Sequence, residues 1–89
     1  ISVVSNQVPA EFTQLVHAAL DGNFVKAKNL HFKLMDLMNV NFIETNPLPV
    51  KTALSMMGKI EESFRLPLVP MEEKNKLILK NVLKGIGLI

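Results

Sequence analysis

Eighty-nine residues allow one small core, yet 48% of them are hydrophobic, only 20% are charged and the mean hydropathy is +0.26, which is more apolar matter than such a core consumes. The net charge of +2, with Arg65 the single arginine and no Trp or Tyr, argues against nucleic-acid binding, which gathers Arg and Lys around stacking aromatics. Absence of cysteine excludes disulfides, thiolate metal sites and cysteine nucleophiles, and no apolar run approaches the ~20 residues that a membrane-spanning helix needs.

The opening ISVVS has three β-branched residues in its first four positions and stops at Asn6, a pattern that predicts a short buried strand. A lone strand cannot satisfy its own N–H and C=O groups, and nothing downstream supplies a convincing second one. Its expected partners therefore lie outside this chain. A first helix opens at Pro9, where a missing N–H costs nothing, with Glu11 favouring the positive helix end. Phe12, Leu15, Val16, Ala19 and Leu20 form one apolar stripe along it, and Asp21-Gly22 stops it. Asn23 is placed to cap a second helix, on which Phe24, Ala27, Leu30, His31, Leu34, Leu37, Met38 and Asn41 recur at helical spacing as far as about Glu44.

ETNPLPVK, residues 44–51, is a punctuated junction in which two prolines fix the path of the chain. A third helix follows, with Val50, Ala53, Leu54 and Met57 as its stripe and Gly58 at its expected left-handed stop. Lys59 to Pro70 reads as an extended connector, because LPLVP cannot be helical throughout. Glu72 and Glu73 open a fourth helix, with Lys80 and Lys84 toward its negative end and Gly85 and Gly87 loosening the terminus. The sum is a mainly α chain of one short N-terminal strand and four helices.

Little in this sequence carries chemistry. His17 and His31 sit on different helices without paired carboxylates, so no metal site is expected. His31 reads as a core histidine and His17 as a solvated one. Glu61 and Glu62 are adjacent and point about 100° apart on a helix, which suits surface charges rather than an acid/base pair. The glycines are scattered at helix ends and make no phosphate-binding loop. Five methionines read as adaptable core filling. Lys74, Lys76, Lys80 and Lys84 beside Leu77, Ile78, Val82 and Ile86 make a basic amphipathic helix, which Leu79 and Leu83 widen into a face for packing on its own domain rather than on a membrane.

ISVVSN with Pro9, then LDGNF, then NPLPVKTALSMMG, then RLPLVP resembles, in the same order and spacing, the C-terminal end of the dihydrodipicolinate synthase family. The match runs over nearly all of the chain, with NPLPVK and RLPL its specific parts. Related Schiff-base lyases such as N-acetylneuraminate lyase share the fold but are less similar at NPLPVK. The resemblance implies a (β/α)8 TIM barrel, of which residues 1–22 supply the last strand and helix, followed by a C-terminal helical domain in residues 23–89. It also implies a class I lyase that condenses pyruvate with aspartate semialdehyde for lysine biosynthesis, through an imine on a barrel lysine that lies upstream and has no counterpart here. On that reading this segment is inactive alone and needs no cofactor. Lys51 begins an appended helix and is structural or solvated, while Ser5 and Asn6 stand nearest the active-site mouth, because barrel catalysis is built at strand ends. The expected partners are the upstream barrel and further copies of the same enzyme, in the cytoplasm, with no nucleic acid and no membrane. A free-standing helical interaction module is the competing reading, and it requires the isolated chain to be a cooperatively folded monomer.

Overall fold

A computed structural model describes residues 1–89. It contains a short 3-10 turn, Val4–Asn6, and four helices: α1 (Pro9–Leu20), α2 (Phe24–Val40), α3 (Leu48–Met56) and α4 (Glu73–Gly85).

The expected N-terminal strand is not formed. With no second strand to pair with, the β-branched run satisfies its backbone locally instead. The Asn6 N–H donates to the Val3 carbonyl at 3.1 Å, and the Gln7 and Val8 N–H groups both donate to the Val4 carbonyl, at 3.0 and 3.1 Å. This tight turn places Val4 and Val8 on one side, where both are buried.

The helix boundaries follow local chemistry. Pro9 stands in the first turn of α1. Gly22 ends that helix at φ +77°, a conformation costly for any residue with a Cβ. The Gly22 N–H donates to the Ala19 carbonyl at 3.1 Å and the Asn23 N–H to the Ala18 carbonyl at 2.8 Å, satisfying two acceptors that the helix itself leaves open. The same pair of bonds stops α3, from Gly58 to Ser55 and from Lys59 to Leu54. Asn23 caps α2 as expected, its side-chain oxygen accepting from the Lys26 N–H at 3.3 Å. Gly87, rather than loosening the end of α4, takes the same left-handed conformation and lets the Leu88 N–H reach the Leu83 carbonyl at 2.9 Å.

Packing runs in the spatial order α1, α2, α4, α3. Leu34, Leu37 and Val40 of α2 meet Leu79 and Leu83 of α4, Leu48 and Ala53 of α3, and Val4, Val8 and Met71 in one core. The extended connector between α3 and α4 contributes Phe64 and Leu68 to its edge. Only the second half of the α2 stripe enters this core. Phe24 and His31 are exposed, because near its start α2 has α1 beside it and nothing from the core. His31 is therefore a surface residue, contrary to the reading of it as a core histidine. The α1–α2 hairpin projects from the rest, giving extents of 43 × 23 × 21 Å and a radius of gyration of 13.8 Å. A compact domain of this length has a radius of about 12 Å, so the fold is drawn out.

Candidate functional site

The segment from Ile1 to Val8 holds the two residues that sequence reasoning singled out, and the turn positions both. Ser5 is half-buried, its hydroxyl donating to the Ser2 carbonyl at 3.2 Å while its N–H donates to the Ser2 hydroxyl at 3.3 Å. Asn6 is exposed, and its side-chain amide donates to the Val3 carbonyl at 3.0 Å. Both side chains thus stabilise their own turn and stand next to each other at its outer edge.

Behind them lies a contact that the sequence did not announce. Gln7 and Asn41, 4% and 0% exposed, face each other with their side-chain amides in reciprocal register. Gln7 Nε2 donates to Asn41 Oδ1 at 2.8 Å, and Asn41 Nδ2 donates to Gln7 Oε1 at 2.9 Å. The two bonds make a reciprocal pair that joins the opening turn to the C-terminal end of α2. A signal was present: Asn41 falls on the apolar stripe of α2, and Gln7 lies between the buried Val4 and Val8, so each amide needs a buried partner. Beside the pair, Ile1, Val3, Phe12, Met38 and Phe42 line an apolar cleft of about 350 Å³.

The remaining candidates are dispersed. Lys51 is half-buried on α3 with its ammonium 5.2 Å from the centre of the Phe64 ring, a cation–π contact that pins the connector. His17 is exposed on α1, and His31 lies 5.8 Å from Phe32, ring centre to ring centre. Glu62 pairs with Lys76 at 3.1 Å across the connector, while Glu61 is exposed. No group of three or more His, Asp or Glu is placed to hold a metal ion, and no helix is long and apolar enough to cross a membrane. Nucleophile, base and oxyanion donors do not converge anywhere.

The most conspicuous surface is apolar. Val16 and Leu20 of α1 are 37% and 78% exposed, although both belong to that helix's apolar stripe, and Phe24 and Val25 at the start of α2 are 69% and 74% exposed. They lie on the last two turns of α1 and the first turn of α2, toward the tip of the α1–α2 hairpin. The face of α1 that is covered holds Ala18, so α1 is apolar on two sides and α2 covers one of them.

Comparison with known proteins gives this surface a context. The model of the dihydrodipicolinate synthetase family matches residues 1–86. The chain is 58% identical over its whole length to 4-hydroxy-tetrahydrodipicolinate synthase of Methanocaldococcus jannaschii and 56% identical to that of Prosthecochloris aestuarii, covering 31% and 30% of those proteins. The crystal structure of dihydrodipicolinate synthase from Thermotoga maritima superposes on all of the chain with a TM-score of 0.95 at 50% identity, again over 30% of that protein. The chain thus spans about a third of the length of the relatives it matches, and the whole of it belongs to the dihydrodipicolinate synthetase family.

Proposed function

We propose that this chain is the structural C-terminal portion of a synthase that condenses pyruvate with aspartate semialdehyde in lysine biosynthesis, the imine forming on a lysine upstream of it. In this reading residues 1–22 belong with a (β/α)8 barrel and residues 23–89 form an appended helical domain. The observation that carries it is the second apolar side of α1: Val16 and Leu20 are exposed where a barrel helix would lie against its neighbours. Burial of such side chains is worth about 1.5–3 kcal/mol each, enough to dock the hairpin on the barrel. In that arrangement the turn at Ser5 and Asn6 leads into the last barrel helix and so stands at the active-site mouth, where barrel enzymes build their chemistry.

Lys51 has no part in the imine. An amine nucleophile must be desolvated or set beside another cation, whereas Lys51 lies half-buried against Phe64 on the appended domain. The enzyme acts in the cytoplasm as a homo-oligomer. Treating the full-length enzyme with pyruvate and borohydride should leave a covalent adduct upstream of these residues, undiminished by Lys51→Met, and the 89-residue chain alone should take up none. An adduct on the isolated chain would refute the assignment. Sedimentation separates the two readings of the exposed face, since a free-standing interaction module would be a cooperatively folded monomer, and this chain is expected to self-associate.

A further inference from the structure

We infer that Gln7 and Asn41 are positioning residues, their amide pair holding the Ser5–Asn6 turn in a single register against the helical layer so that the mouth it borders keeps a fixed shape. The inference rests on the proposed place of that turn in a pyruvate-dependent lyase. It starts from what ties the first eight residues to the rest of the molecule. Their other hydrogen bonds are local, from Ser5 to Ser2, from Asn6 to Val3 and from Gln7 and Val8 to Val4. The two bonds between Gln7 and Asn41 are the polar link that reaches beyond α1, across 34 positions of sequence. Val4 and Val8 also anchor the segment in the core, but apolar contacts are non-directional and permit small slides and rotations.

Energetics point to geometry as the reason for the pair. Two buried amides that satisfy each other gain little over two apolar side chains of the same shape, since each bond only replaces bonds to water. What the reciprocal pair adds is direction, because two bonds between the same two amides fix separation and rotation together, and in a dry site a misaligned amide is penalised. Asn6 is joined to Gln7 by one peptide unit, about 3.8 Å between Cα atoms, so a change at Gln7 moves the turn directly. Asn41 provides the fixed end, being fully buried at the close of α2 with Leu37 and Val40 of that helix in the core.

The test uses the full-length enzyme. Gln7→Leu should raise KM for the aldehyde substrate about tenfold, as for a displacement smaller than the ~1 Å that can cost roughly 100-fold, while the rate of pyruvate adduct formation trapped by borohydride stays at the unmodified level. Exchanging the two residues, Gln7→Asn with Asn41→Gln, keeps both bonds and should recover KM. A purely structural pair would leave KM unmoved in any variant that folds. If Gln7→Leu does not fold, Gln7→Leu with Asn41→Leu replaces it, leaving no amide unpaired, and the same KM criterion decides. Unchanged KM in a folded variant, or failure of the exchanged pair to recover it despite a restored melting temperature, overturns the inference. An unmodified enzyme that forms no pyruvate adduct overturns the functional reading and this inference with it; unaltered kinetics in variants of one that does form it overturn this inference alone.

Discussion

Glu44 is expected to govern how firmly α4 begins. That helix has no cap of its own, since the Glu72 side chain makes no capping bond. The carboxylate of Glu44, 28 residues earlier, fills the role: its Oε2 accepts from the Glu72 N–H at 3.0 Å and from Asn75 Nδ2 at 2.9 Å. A lost capping acceptor costs about 1 kcal/mol, and the Asn75 bond adds up to about 1 kcal/mol, reduced here because Glu44 is partly exposed. Glu44→Ala should therefore weaken the first turn of α4 by about 1–1.5 kcal/mol, which accelerates its amide exchange roughly tenfold when opening is local. Glu44→Gln keeps an acceptor but loses the charge that favours the helix start, so it should fall between, and its difference from the parent should shrink in high salt. Hydrogen exchange followed residue by residue reads both variants. Unchanged exchange of the Glu72 and Lys76 amides in Glu44→Ala would show that Asn75 or solvent serves the helix start equally well, and the reasoning would be wrong.

Leu83→Ala removes a fully buried side chain at the α4 contact and should cost about 2–5 kcal/mol by chemical denaturation, depending on how far the site collapses. Gly22→Ala meets no atom within 4 Å of its new Cβ, so its expected cost of about 1–2 kcal/mol is conformational, arising from φ +77°; a melting temperature equal to the parent's would contradict that. Leu20→Lys should change the stability of the 89-residue chain, diluted until it is monomeric, by less than about 0.5 kcal/mol, because the side chain is already exposed, yet lower the melting temperature of the full-length enzyme; equal tolerance in both would refute a docked hairpin.

The helices were legible because their signals are local. Pro9, Gly22, Asn23 and Gly58 act within a turn of their own positions, and each does in the structure what its chemistry dictates. The strand was misread because β-propensity expresses fit to a paired sheet, and Val3 and Val4 meet no neighbouring strand. His31 was misplaced for a related reason: the stripe of α2 is continuous in sequence, but which part of it is covered depends on how far α3 and α4 extend along it. Ser5 and Asn6 are singled out by the resemblance as the end of an expected strand, and in the structure they stand in a 3-10 turn instead. The Gln7–Asn41 pair and the Glu44 cap, spanning 34 and 28 residues, are decided by the tertiary fold, and the sequence displays only the anomaly of an amide among apolar residues.

The excess of apolar residues evident in the composition has a definite place. Toward the end of α2 a core is closed: Leu34, Leu37, Leu79 and Leu83 are fully buried and Met71, Phe64 and Leu68 cover its edges, with Phe42 and Leu66 exposed outside it. Toward the hairpin tip the molecule is open, with Leu20, Phe24 and Val25 in water and Val16 partly so, beyond the reach of α3 and α4. Leu20, Phe24 and Val25, each about three-quarters exposed, forgo several kcal/mol of burial at up to about 1.5–3 kcal/mol each, a large part of the stability of a small domain. A sequence selected to fold alone has no reason to retain them there. The buried amide pair lies in the closed part, at the junction of the opening turn and the end of α2, where a directional contact can fix the turn against the helix while apolar contacts supply the adhesion.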